Sequence, residues 1–318
     1  MARISGFLLI VLLLISCGNE VKNKIDVSVI NVNVTVDRFE EKFYTTSEED
    51  LPKLKSAYAF MFANVHDSTS LRKMKSEEEL FLFDQSKKVF GNFESQKEEL
   101  TDLFKHIKYY NPNFDEPKVI THISDLDFEY PVIYADSLLF IALDMYLGKE
   151  SEVYRSFPMY IAQNYKKEHI VVDVAKDIIN RTFPKFRSRR FIDKIINHGK
   201  EIYFLERFLP TVSDSIKMGY SSNKMKWAEA NEIDVWKYFI ENELLYSSDS
   251  DLDDRFIGIA PFSKFYQASD GDSPGRIGVW IGWQIVRSYM RNNDVTLQQL
   301  ITVPSEDIYK NSKYKPRK

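Results

Sequence analysis

Pro117-Lys118-Val119-Ile120-Thr121-His122-Ile123-Ser124, then Pro131-Val132-Ile133-Tyr134-Ala135-Asp136-Ser137-Leu138-Leu139-Phe140-Ile141-Ala142-Leu143, are the stretches whose reading decides the fold class. Both are rich in β-branched and aromatic residues, and the turn-forming Asp125, Asp127 and Pro131 lie between or beside them, so they read as strands. Upstream, Ile25 to Val36 alternates apolar and polar residues, with a phase change near Val29 that suggests a bulged strand. The spacing turns helical over Glu48 to Phe62, where Leu51, Leu54, Tyr58, Met61 and Phe62 share a face, and over Glu77 to Phe90 and Glu94 to Tyr109. Beyond Gly148 nearly everything reads as helix: Glu152 to Tyr165, Val171 to Arg181, Arg187 to Phe208, Asn223 to Tyr246, Arg276 to Asn292 and a short helix from Thr296. Ser247 to Asp254 and Ser269 to Gly275 read as loops. The expected fold is α+β and predominantly helical, a small N-terminal sheet followed by a helical region.

The N-terminus carries a second signal. Arg3 precedes an apolar run from Phe7 to Ile15, which ends in Leu14-Ile15-Ser16-Cys17, the aliphatic-small-Cys pattern of a bacterial lipoprotein signal. A bilayer span needs about 20 apolar residues, and this run is shorter. The expectation is a signal peptide over 1–16, lipid attachment at Cys17, a polar tether over 17–24 and a single globular domain over 25–318. Cys17 is the only cysteine, so no intramolecular disulfide staples the chain and stability rests on its core. With 44% hydrophobic and 28% charged residues the composition is that of a globular chain and not of a disordered one. The formal net charge of -4 leaves no basic nucleic-acid surface, and Lys313, Lys315, Arg317 and Lys318 form only a local basic tail. Gly18-Asn19-Glu20 lacks a dense acidic run, so the expected anchor faces the periplasm.

Catalytic patterns inform mainly by being missing. None of His66, His106, His122, His169 and His198 is followed by Glu, and no two are spaced three or four apart, so the H-E-x-x-H zinc motif is not present. Ser221 lies in Gly219-Tyr220-Ser221-Ser222-Asn223, without the second glycine of a nucleophile elbow, and reads as a loop leading into a helix. Asp249, Asp251 and Asp253 have the first spacings of a calcium loop, but Asp254 and Ala260 stand where that loop needs Gly and Glu, so a solvated acidic loop is the better reading. Gly275, Gly278 and Gly282 match no phosphate-binding pattern. Gly278 and Gly282 instead predict close packing against another helix. No catalytic residue, metal ligand or cofactor site is expected beyond the covalent lipid.

Two segments combine large aromatics with charges: Trp227-Ala228-Glu229-Ala230-Asn231-Glu232 with Trp236, and Ala260-Pro261-Phe262-Ser263-Lys264-Phe265-Tyr266. Taken with Pro131-Val132-Ile133-Tyr134, Leu143-Asp144-Met145-Tyr146-Leu147-Gly148, Ile202-Tyr203, Phe208-Leu209-Pro210, Leu244-Leu245-Tyr246-Ser247, Ser273-Pro274-Gly275-Arg276-Ile277-Gly278 and Ser312-Lys313-Tyr314-Lys315-Pro316, the chain closely resembles the GldB-type gliding-motility lipoproteins of Bacteroidota over essentially its whole length. The resemblance implies a lipid-anchored envelope component required for gliding, with the membrane and other gliding or type IX secretion envelope proteins as partners. It also implies a distant similarity to zinc peptidases whose first helix carries H-E-x-x-H and whose later helix begins with a ligand Glu. By chain order His198 and Glu232 fall near those helices. Gly199 then replaces the general base and Ile202 the second histidine, so the scaffold reads as degenerate zincin-like, with His198, Glu232 and Trp236 as remnant-cleft candidates. The favoured reading is a non-enzymatic binding or assembly module. The alternatives are a divergent hydrolase using Glu232 or Glu229, and a polysaccharide-binding module that stacks sugars on exposed Trp227, Trp236 or Trp280.

Overall fold

The computed structural model describes residues 25–135, 137–184 and 188–317. The signal segment, Cys17 and the tether lie outside them. Strands β1 (Val36–Arg38), β2 (Lys118–His122), β3 (Val132–Ala135) and β4 (Leu138–Ala142) form one sheet in the order β1-β2-β4-β3. Parallel pairing sets Val36 opposite Val119 and Val119 opposite Leu139, and β3 folds back antiparallel on β4 with Ile133 opposite Phe140. Both faces of β2 are covered: Val119, Leu139 and Ile141 enter the main core, while Ile120 meets Phe39 and Phe43 on the other side. Burial on both faces accounts for the unbroken apolar run of β4.

Helices α1 (Phe39–Thr45), α2 (Leu51–Ala57), α3 (Asp67–Lys75), α4 (Glu77–Phe90) and α5 (Glu94–Tyr110) lie between β1 and β2. After the sheet come α6 (Met159–Ala162), α7 (Ile170–Thr182), α8 (Phe191–Phe208), α9 (Asp214–Met218), α10 (Ser222–Ala230), α11 (Glu232–Glu241), α12 (Asp251–Phe256), α13 (Ile277–Asn292), α14 (Leu297–Thr302) and α15 (Ser305–Asn311). The predominantly helical α+β architecture is therefore the observed one.

Several element boundaries differ from the sequence reading. The strand expected over 25–36 reduces to β1, because Ile30 N–H closes a turn on Val27 O at 3.1 Å, Asn33 N–H goes to Glu116, and β2 offers this side only Val119 to Thr121 as partners. The helix expected over 48–62 stops at Ala57, yet Leu54, Tyr58, Met61 and Phe62 still pack together around Phe39. Pro158 splits 152–165, since its ring has no N–H to continue a helix. The helix expected over 223–246 breaks at Asn231, whose side-chain amide donates to Trp227 O at 2.8 Å and ends α10. The acidic loop of 247–254 becomes helical from Asp251 because Leu252 and Phe256 are buried, with Asp251, Asp253 and Asp254 favourably placed in the first turn.

The centre of the helical half is the crossing of α8 and α13. The glycines expected to permit close packing do so: a β-carbon on Gly282 would lie 1.8 Å from Ile195 O, and one on Gly278 2.9 Å from Phe256 O. Gly199 is the reciprocal position on α8, where a β-carbon would sit 2.2 Å from the carbonyl carbon of Gly282. Backbone therefore touches backbone at this crossing, and Trp280 and Trp283 flank it, both fully buried. Gly282→Ala is expected to lower stability by about 3 kcal/mol or more, as overpacking against rigid backbone does. At Gly271, where nothing lies within 4 Å, the same change is expected to cost less than about 0.5 kcal/mol. Denaturant titration of the two variants checks the contrast.

Candidate functional site

His198 projects from α8 and is about two-fifths exposed, with Nδ1 3.1 Å from Glu201 Oε2 one turn on. It lines a groove of about 1250 Å³ together with Asp177, Lys194, Lys200, Glu201 and Asp253. Most of these charges are already paired. Lys194 Nζ lies 2.7 Å from Asp253, and Asp177 accepts from Arg181 Nε at 3.2 Å and from Tyr134 N–H at 2.6 Å. Lys200 is buried, donates to Val303 O at 2.6 Å, and is pushed down to about 8 by burial. Between His198 and Lys200, Gly199 is spent on the contact with α13.

Glu232 begins α11, is itself buried, and is not among the residues lining this groove. Its Oε1 accepts from Tyr314 O–H at 2.8 Å and from Arg317 N–H at 3.3 Å, while Oε2 is buried with no hydrogen-bond partner among the described residues. Trp236, one turn along, packs edge-on against Tyr314 at 5.2 Å and against Tyr309 at 6.2 Å. Glu232 and Trp236 are thus brought together as the seat of the C-terminal segment. No hydrogen bond or ion pair joins either to His198 among the described residues.

The stacking platforms proposed for a polysaccharide are not offered. Trp280 and Trp236 are buried, and Trp227 is half-buried against the main core. Glu229 is exposed on α10. Ser221 accepts from Lys224 N–H at 3.3 Å and caps α10, as a residue leading into a helix should. Asp251 accepts from Tyr266 O–H and Asp253 is paired with Lys194. Among the described residues no three of His, Cys, Asp and Glu converge in a way that could hold a metal ion.

Two buried polar centres escaped the sequence reading. Asp144, fully buried after β4, accepts from Ser124 N–H at 2.9 Å, from Leu126 N–H at 2.7 Å and from Ser124 O–H, and so fixes the turn at Asp125 and Leu126, both in the left-handed region. Burial holds its carboxyl above the ordinary range and the neighbouring His122 imidazole below it. Glu206 on α8 accepts from Trp283 Nε1 at 3.0 Å and Arg287 Nε at 2.7 Å, and Arg287 reaches on to Asp214 at 2.6 Å. The available signals were a lone acid within the apolar run Phe140 to Leu147, and a Trp–Arg pair one helical turn apart on α13.

The family model described as gliding motility protein GldB matches residues 20–316. The chain belongs to the GldB family. The match takes in the whole sheet, the α8–α13 crossing, His198, Glu232 and Trp236 of this GldB-family chain. No curated protein and no solved structure matches it. No helix among the described residues is long and apolar enough to cross a membrane.

A further buried group gives this GldB-family fold a pH dependence. His169, just before α7, is 2% exposed, and burial, only partly opposed by the nearby Asp173, lowers its imidazole to about 4. Above pH ~6.5 it is neutral whether the chain is folded or not; below that the unfolded chain takes up a proton that the folded chain refuses until about pH 4, so stability falls as pH drops through this window. Between pH 7 and pH 5, the wild type is expected to lose about 2 kcal/mol more than His169→Gln, read by denaturant titration at each pH.

Proposed function

We propose that this chain is a lipid-anchored component of the gliding apparatus, facing the periplasm from Cys17 and acting through binding and assembly, without a reaction of its own. The observation that carries the non-enzymatic part is Gly199. At the position corresponding to the general base of the zinc peptidases, a β-carbon would lie 2.2 Å from the backbone of Gly282. Any side chain able to activate water there would drive α8 and α13 apart, so the site of that chemistry and the spine of the fold compete for one position. The neighbouring polar side chains are engaged with one another, His198 with Glu201 and Lys194 with Asp253, which suits a structural surface better than a reacting centre.

The anchoring part is supported by Leu14-Ile15-Ser16-Cys17 and by family membership, which links the chain to gliding. Partners are then other envelope components of the gliding or type IX secretion machinery, met at the membrane surface. Single-cell tracking on glass tests both parts together. A strain lacking the gene is expected not to move, to regain movement with the wild-type gene, and to stay immobile with Cys17→Ala, whose product leaves the membrane fraction. Normal movement of the deletion strain would refute the role in gliding, and full rescue by Cys17→Ala would refute the anchor.

A further inference from the structure

One pocket among the described residues is lined almost wholly by core side chains. Between α5, α7, α8 and α14 lies an apolar pocket of about 240 Å³ whose walls include Ile107, Phe114, Phe183, Phe204, Phe208 and Ile301. Two of the polar residues in its lining are engaged: Tyr110 Oη accepts from Arg207 Nε at 3.0 Å, and Gln298 donates to Tyr110 O. A cavity of roughly 150 Å³ lined by Leu, Ile and Phe stays dry and takes up benzene, so a larger one with the same lining has room for a longer hydrocarbon. The pocket shares Ile179, Phe183, Phe204 and Ile301 with the charged groove beside it, so an apolar site adjoins polar ground. Together they suit an amphiphile with an apolar tail and a polar head.

The path of the N-terminal segment selects the kind of tail. Asn33 N–H donates to Glu116 at 3.0 Å, and Glu116 also holds Lys108 at 2.9 Å, so this segment joins the fold beside Phe114 and Ile107, two walls of the pocket. If Cys17 carries the anchor, the eight residues 17–24 span at most about 29 Å, which holds Ile25, where the described chain begins, within that distance of the membrane surface. We infer that the pocket between α5, α7, α8 and α14 is a binding site for a single aliphatic acyl chain, supplied by a bilayer lipid or by the protein's own anchor. The choice of an acyl chain over other apolar groups rests on the anchored reading, because that reading puts acyl chains within reach.

Laurate titrated calorimetrically into the purified full-length Cys17→Ala chain, below the concentration at which it forms micelles, tests the site without requiring an anchor. Saturation at one equivalent is expected. Ile301→Trp fills the pocket, and Gln298→Trp blocks its mouth from an exposed position that leaves the core untouched; each is expected to weaken laurate roughly tenfold or more, the effect of losing about two buried methylene groups. The wild-type lipidated chain separates the sources: weaker laurate binding than in Cys17→Ala assigns the pocket to the anchor, and equal binding assigns it to bilayer lipid. Non-saturating uptake, or binding indifferent to both tryptophan variants in folded protein, would overturn the inference. Saturation by N-acetylphenylalaninamide but not by laurate would also overturn it and assign the pocket to a polypeptide side chain. Retention of Cys17→Ala in the membrane fraction would refute the anchor and leave the laurate result standing on its own.

Discussion

The contact on which the rest of this structure depends is the backbone-to-backbone crossing of α8 and α13 at Gly199 and Gly282. It is dictated by volume: a β-carbon on Gly282 would come within 1.8 Å of Ile195 O, so the two helix axes can be this close only while both positions lack side chains. Trp280 and Trp283 then fill the space beside the crossing, and Glu206, Arg287 and Asp214 tie its far end. Helices α12 and α15 pack against the same pair, and the C-terminal segment closes over it through Ser312 O, which accepts from Ser288 Oγ at 2.8 Å. Dispersion gained at such short range is large only in a dense interior, which is why the surrounding side chains are big and fully buried.

The same crossing constrains function. In a helix that carries water-activating chemistry, the base beside the first ligand must present a carboxylate to the cleft. Gly199 on α8, which follows His198, serves packing, and Lys194 nearby is paired with Asp253. What the molecule offers outward is a charged groove with a hydrocarbon pocket at its side, together with a C-terminal segment seated on Glu232 and Trp236. These are features of recognition. They accord with membership of the GldB family, which links the chain to gliding motility.

Much of this was legible in the residues. Long amphipathic stretches such as 94–109, 171–181 and 276–292 became helices almost as read, because three or more turns of one apolar face leave little alternative. Gly278 and Gly282 announced the close crossing, although not that Gly199 was its other half, since periodicity names a face and not its partner. Elements failed where a tertiary partner decided them. Residues 25–35 alternate like a strand but find no edge long enough to pair with, and 223–246 is apolar enough for one helix until the Asn231 amide caps Trp227 O. Asp144 looked like an ordinary acid; only burial reveals it as the group holding the turn after β2.

The central claim is that the α8 surface serves binding and structure and performs no acid–base chemistry. Its most direct test is a deletion strain complemented with His198→Gln/Glu201→Gln, which keeps hydrogen-bonding groups on the groove but removes its titrating acid and base, with protein abundance and gliding speed measured in the same cells. Wild-type speed at wild-type abundance is the result this account predicts. Immobile cells holding normal amounts of folded, membrane-associated protein would contradict it, because the imidazole and carboxylate of the His198–Glu201 pair would then be needed where amides of similar hydrogen-bonding capacity do not serve.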